Sequence, residues 1–361
     1  METKARQAIV VDGETGAVLF EKDADTPFPP ASLAKLMTME VVFTAIEEGR
    51  IAPSQEFPVS EYAWRTGGAP SGTSTMFAKI KSLVPIDALI RGTIVQAAND
   101  AAIIIAEGMA GSEATFAGIM NETARSLGLK NSTFVNPTGL PAEGQFVTVR
   151  DLTVLARRIR EAHGAFYTIY AQPDFEWNGI FQRNRNPLLA LDVGATGMGT
   201  GFTEESGYSL VGVTEKGGRI TIIALGGLAS VKERAEEAKR LLDWSNTSFR
   251  REELFTAGNP VGRATVYGGV ASEVGLVTRE PIVAYIPKDR PMSVTAHVRY
   301  EGPLRAPIAE GARVGQIEVR IDDKVSVSRD LYAEGQVVEG TFASQALDAA
   351  QELAFGWIKS L

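Results

Sequence analysis

Near residue 263 the hydrophobic patterning of this 361-residue chain changes period, and that change narrows the folds open to it more than any other feature. Before it, apolar residues recur at helical spacing over 86–110, 112–127, 149–162 and 231–244. After it they come in short alternating runs, 282–286, 294–298 and 315–319, separated by Gly, Pro and Asp turns, which is the pattern of half-buried strands. Two textures imply two domains, as does the length at about 100 to 200 residues per domain. We expect a first domain over 1–254, a linker from Phe255 to Gly262, an all-β domain over 263–341 and an amphipathic helix over 342–361.

Within the first domain, residues 8–22 read as two β runs joined by a glycine-containing turn, hence a hairpin. After Phe28-Pro29-Pro30-Ala31, the segment from Ser32 to Glu48 is rich in Leu, Met, Val and Ala and stops at Gly49. A helix apolar on most faces belongs in the middle of a core. Strand-like runs at 208–214 and 219–226 add to the sheet. The terminal helix gathers Phe342, Leu347, Leu353, Trp357 and Leu361 on one face, while its polar face sets Lys359 against Asp348 and Glu352. Membrane anchors usually have a basic polar face, so a membrane surface, the β domain and another subunit all stand as docking surfaces for it.

Composition removes several classes of function. Lys and Arg number 36 against 44 Asp and Glu, a net charge of −8, and no basic block is interleaved with aromatics, so nucleic acid is not an expected partner. Without cysteine there is no thiol catalysis, zinc ribbon or disulfide framework. The only histidines, His163 and His297, cannot build a histidine-rich metal site, and each reads as a surface or structural residue. No metal or organic cofactor is implied. Met1 to Arg6 lacks an apolar stretch of signal-peptide type, and no run approaches the roughly 20 apolar residues of a spanning helix.

Ser32-Leu33-Ala34-Lys35 puts a hydroxyl and an amine one helical turn apart on one face. Serine needs a base to take its proton, and a desolvated lysine with a depressed pKa can be that base without histidine. The spacing alone arises roughly once by chance in a chain this long, and Ser32 as a helix cap with Lys35 solvated satisfies it equally well.

Other segments join it. In order along the chain, Pro30-Ala31-Ser32-Leu33-Ala34-Lys35-Leu36-Met37-Thr38, Ile94-Val95-Gln96-Ala97-Ala98-Asn99-Asp100, Leu127-Gly128-Leu129-Lys130-Asn131, Gln182-Arg183-Asn184-Arg185-Asn186 and Gly201-Phe202-Thr203-Glu204-Glu205-Ser206-Gly207-Tyr208 resemble the serine D-Ala-D-Ala carboxypeptidases, the low-molecular-mass penicillin-binding proteins. The resemblance implies an α/β domain of penicillin-binding and serine β-lactamase type, an antiparallel sheet covered by helices, followed by a β-sandwich-like domain. It implies Ser32 as nucleophile, Lys35 as base and Asn99 as a group that orients Lys35 and holds the substrate amide. Thr200, Gly201 and Phe202 would flank the substrate, with the Phe202 and Ser32 amides as oxyanion hole, and Arg185 and Arg234 would face its carboxylate. The substrate would be a peptidoglycan pentapeptide ending in D-Ala-D-Ala, with β-lactams as further ligands. The setting would be periplasmic, on the outer face of the cytoplasmic membrane, which requires an export signal, so we read the chain as a mature form with an added Met1.

Two positions depart from the family pattern. Ala97 stands where Ser-x-Asn has serine, and Gly199-Thr200-Gly201 stands where Lys-Thr-Gly has lysine. The resemblance gives that serine a part in passing a proton to the leaving amine, and one positioned acid–base group is worth about 10²- to 10⁴-fold in rate. Either turnover is impaired, or water and a cation such as Arg185 or Arg234 compensate. Alternatives are an inactive peptidoglycan-binding or regulatory homologue, an engineered inactive variant, a β-lactamase, for which no deacylating base is evident, and a structural adaptor.

Overall fold

Strands Gln7–Asp12 and Val18–Lys22 form the expected hairpin, which is one edge of a five-stranded antiparallel sheet. The sheet continues through Arg219–Leu228, Gly207–Lys216 and Ala195–Thr203, the last being the opposite edge. The three inner strands are apolar at consecutive positions because both their faces are covered. Ile9, Val11, Val211, Ile222 and Ala224 face the larger helical core. Ala8, Val10, Leu210, Ile223 and Leu225 face Ala238, Leu241 and Leu242 of the helix Val231–Ser248.

Helix Ala34–Glu47 runs through the larger core, with every residue from Ala34 to Phe43 buried, as its all-round apolar sequence predicts. One carboxylate among them, Glu40, is balanced by Arg158 and by His163, itself 1% exposed. His163 is thus a structural partner, and His297 is an exposed strand residue. The expected helix over 86–110 is broken: Ile86–Val95 and Asn99–Ala110 flank Gln96–Ala98, where Ala97 has a left-handed φ of 52°. Alanine is the best helix former, so no local signal marks the break; the surrounding structure imposes it.

The structure, a computed structural model, describes residues 1–289, 291–322 and 324–341. It divides into the unit Met1–Asn246 and a second that starts at Thr247. The division precedes the expected linker. Phe249–Phe255, assigned by its texture to the first domain, is a strand paired with Ile282–Pro287, and Arg250-Arg251-Glu252-Glu253 within it hides the strand pattern. From Phe249 on, the described residues of the second unit form only strands and their connections. Its six-stranded sheet runs Val294–Arg299, Arg313–Ile321, Lys324–Ala333, Glu273–Val277, Pro260–Tyr267 and Leu304–Arg305. Inward Ile317 and Val319 alternate there with more exposed neighbours. The expected terminal helix over 342–361 lies outside the described residues. Among those described, no single helix is long and apolar enough to cross a membrane.

Candidate active site

Pro29-Pro30 cannot continue a helix backwards, and the chain enters helix Ala34–Glu47 through a tight turn, Ala31–Leu33. Ala31 has φ 49°, left-handed for a residue with a Cβ, a conformation that costs about 1–2 kcal/mol. The turn leaves Ser32 half-buried, while Lys35 is 4% exposed. Lys35 Nζ lies 3.1 Å from Ser32 Oγ, donates to Asn99 Oδ1 at 2.7 Å and donates to the Thr138 carbonyl at 2.6 Å. Its pKa falls to about 7, first because burial penalises the ammonium and second because Arg185 is positive; Asp100 partly opposes both. The amine is therefore substantially unprotonated near neutrality, as a serine-activating base must be.

Asn99 is fixed from both sides. Its Oδ1 accepts from Lys35 and its Nδ2 donates to Thr73 Oγ1 at 2.9 Å. The Thr138 carbonyl belongs to a loop built on Asn136, whose Oδ1 accepts from Thr138 Oγ1 and from the Gly139 amide. Gly139 has φ 79°, and a Cβ there would lie 1.6 Å from the Ala31 carbonyl oxygen, so only glycine lets this loop close on the turn that carries Ser32. Thr73 and Thr138 were not among the predicted residues. The turn chemistry of Asn136-Pro137-Thr138-Gly139 marks that loop in the sequence; nothing marks Thr73.

Gly201 of the edge strand packs on the same turn: a Cβ there would approach Ser209 Oγ at 2.6 Å and the Pro30 carbonyl at 2.9 Å. Close contact places Thr200 beside Ser32 and leaves Phe202 51% exposed, its ring 4.3 Å from that of Tyr208. Arg234 is 6% exposed, not the surface residue its charged neighbours suggest. Its Nη1 makes only long contacts, 3.5 Å to the Gly201 carbonyl and 3.4 Å to that of Ser209, its Nε has no hydrogen-bond partner, and it sits 5.6 Å from the Tyr208 ring centre. Burial pulls its basicity down. Arg185 donates from Nε to the Gln96 carbonyl at 2.9 Å.

One cleft of ≈ 650 Å³ is lined by Ser32, Asn99, Thr200, Gly201, Phe202, Arg185 and Arg234, with Lys35 directly beneath Ser32. Every predicted site residue is thus brought together. Two arginines and no carboxylate line this cleft in a chain of net charge −8, a local excess suited to a carboxylate ligand. Neither histidine lines it. Ala97 lies in its wall, and Gly199 is one residue upstream of Thr200 in the edge strand.

Residues 1–227 match the family described as D-alanyl-D-alanine carboxypeptidase, and residues 249–339 match the penicillin-binding protein 5 C-terminal domain. The chain is 35% identical to D-alanyl-D-alanine carboxypeptidase DacC of Escherichia coli, over 99% of this chain and 90% of that protein. It superimposes on penicillin-binding protein 5 of Haemophilus influenzae with a TM-score of 0.83 at 32% identity, covering 94% of this chain and 99% of that one. Penicillin-binding protein D2 of Listeria monocytogenes, solved with ampicillin bound, matches at 28% identity and a TM-score of 0.58, over 67% of this chain and 97% of that one.

Proposed function

Because the chain belongs to the D-alanyl-D-alanine carboxypeptidase family, we propose that Ser32 is the nucleophile with which it opens the terminal amide of peptidoglycan stem peptides ending in D-Ala-D-Ala. The observation that carries this reading is the Ser32–Lys35 contact at 3.1 Å, with the lysine buried and its pKa near 7. Lys35 takes the Ser32 proton as Oγ attacks the carbonyl carbon. The amides of Ser32 and Phe202 stabilise the oxyanion, the C–N bond breaks, and D-Ala leaves with a proton. Water then releases the shortened peptide from Ser32. Asn99 orients Lys35 and the substrate amide; Thr200, Arg185 and Arg234 hold the terminal carboxylate. β-Lactams acylate the same serine, and the protein works in the periplasm, at the outer face of the cytoplasmic membrane.

Turnover is slow because Ala97 and Gly199 each remove a polar group from this machinery. Incubation with benzylpenicillin followed by intact-protein mass should give a single-drug adduct on the native chain and none on Ser32→Ala; no adduct on the native chain rejects Ser32 as nucleophile.

The same two residues favour a second reading, a protein that binds stem peptides without cleaving them. A side chain at Gly199 would meet no atom within 4 Å of its Cβ, so Gly199→Lys should fit without rearrangement. Under the enzyme reading, Gly199→Lys combined with Ala97→Ser raises the acylation rate at least about 10²-fold. An unchanged rate favours the binding protein.

A further inference from the structure

Behind Ser32 lies a second, smaller cavity, walled in part by Lys35, Ala97, Tyr170, Asn186 and Gly199. The two positions that depart from the family pattern therefore share one space. Two other wall residues carry buried polar groups with no hydrogen-bond partner: Tyr170 Oη and Asn186 Nδ2. Tyr170 is 2% exposed and Asn186 3%. The carbonyl end of the Asn186 side chain is already used, accepting from the Leu188 amide at 3.0 Å, so its NH₂ is the group left over. Burial keeps the Tyr170 hydroxyl neutral, so it can accept as well as donate. Leaving a buried polar group unpaired costs about 1–3 kcal/mol, and two in one wall call for a shared partner. The space open to a water centre is ≈ 20 Å³, against the roughly 10–15 Å³ that one water requires.

We propose that this cavity holds an ordered water, anchored by Tyr170 and Asn186, that takes the place of the hydroxyl residue 97 lacks and relays the proton from Lys35 to the departing amine. The inference rests on the reading of Ser32 and Lys35 as nucleophile and base. Asn186 Nδ2 donates to one lone pair of the water and Tyr170 Oη accepts one of its protons, which leaves the second lone pair open to Lys35 and the second proton to be given up. As the Ser32 Oγ–carbonyl bond forms, Lys35 receives the serine proton. As the C–N bond breaks, Lys35 returns a proton to the water, which passes one of its own to the leaving nitrogen, and no net charge or atom is lost. Tyr170 and Asn186 are positioning residues, since they act through the water.

A double-mutant comparison tests this. Tyr170→Phe keeps the ring and removes the anchor, so it should slow benzylpenicillin acylation at least about ten-fold in the native chain. In an Ala97→Ser background, where the hydroxyl is restored, the same substitution should cost less than about two-fold, because the relay no longer needs the water. A purely structural tyrosine would cost the same in both backgrounds, and that result overturns the proposal. So does a crystal structure of the native protein at about 1.5 Å or better with no water bonded to Tyr170 and Asn186. If neither the native chain nor Ala97→Ser acylates while the water is present, it is the nucleophile reading that fails, and the relay with it.

Discussion

Lys35 bears its proton reluctantly for two separable reasons, burial and the charge of Arg185, and the pH dependence of acylation follows from their sum. In the role proposed for it, Lys35 must be neutral to act. Below a pKa of about 7, the neutral fraction falls about ten-fold per pH unit. Acylation should therefore climb from pH 5 to 7 and level off above it, which time-resolved intact-mass measurements would follow. A lysine of ordinary pKa would still be climbing at pH 9. Removing the Arg185 charge should move the midpoint upward, because its positive field is one of the two causes of the depression; a midpoint unmoved in Arg185→Ala would separate that charge from the base. Ser32 and Lys35 were legible because their chemistry has a sequence spacing, and Asn99 because its segment resembles the family's. Thr73 and Thr138 were not, because one supplies a hydroxyl and the other a carbonyl, and a backbone carbonyl leaves no residue-type signature. Tyr170 and Asn186 escaped for a related reason: what singles them out is burial without a partner, which only a folded structure reveals.

Among the elements, the turn that carries Ser32 is held by close backbone approaches more than by caps. Neither the tight turn Ala31–Leu33 nor helix Ala34–Glu47 has a side-chain N-cap. Instead the loop Asn136–Gly139 and the edge strand at Gly201 press on it from two sides. Gly139→Ala should then be costly twice over, through its left-handed φ and through the 1.6 Å approach to the Ala31 carbonyl. Gly144→Ala shares the left-handed φ, at 80°, but meets nothing within 4 Å, and so isolates the conformational cost. We expect about 3 kcal/mol or more of lost stability for Gly139→Ala against about 1–2 for Gly144→Ala, read from denaturant midpoints. Acylation should slow at least about ten-fold only in Gly139→Ala, where the Thr138 carbonyl is displaced from Lys35. Equal effects of the two substitutions would remove the packing argument. Periodicity located most helices of the first unit because their apolar stripes are long. It missed the break at Ala97 and the strand Phe249–Phe255, where backbone conformation is set by distant neighbours against local preference.

For the molecule as a whole, the cleft at Ser32 and both apolar clusters on the central sheet belong to one unit. The two apolar clusters on either face of the central sheet draw their members from Ala5 to Leu242, and every lining residue of the cleft at Ser32 falls between Ala31 and Arg234. The Listeria relative is consistent with this: 97% of its chain is matched by 67% of this one. A chain ending at Ser248, which completes the helix Val231–Ser248, should therefore unfold cooperatively on its own. It should also be acylated by benzylpenicillin within about two-fold of the full-length rate, since residues outside a packed site rarely change a local barrier by more than a few tenths of a kcal/mol. Calorimetry and intact mass check the two halves separately. A cooperative transition with normal acylation leaves the β unit a role outside the acylation step. A cooperative transition with acylation lost would make the second unit part of the catalytic machinery, and the assignment of the site to the first unit alone would have to be given up.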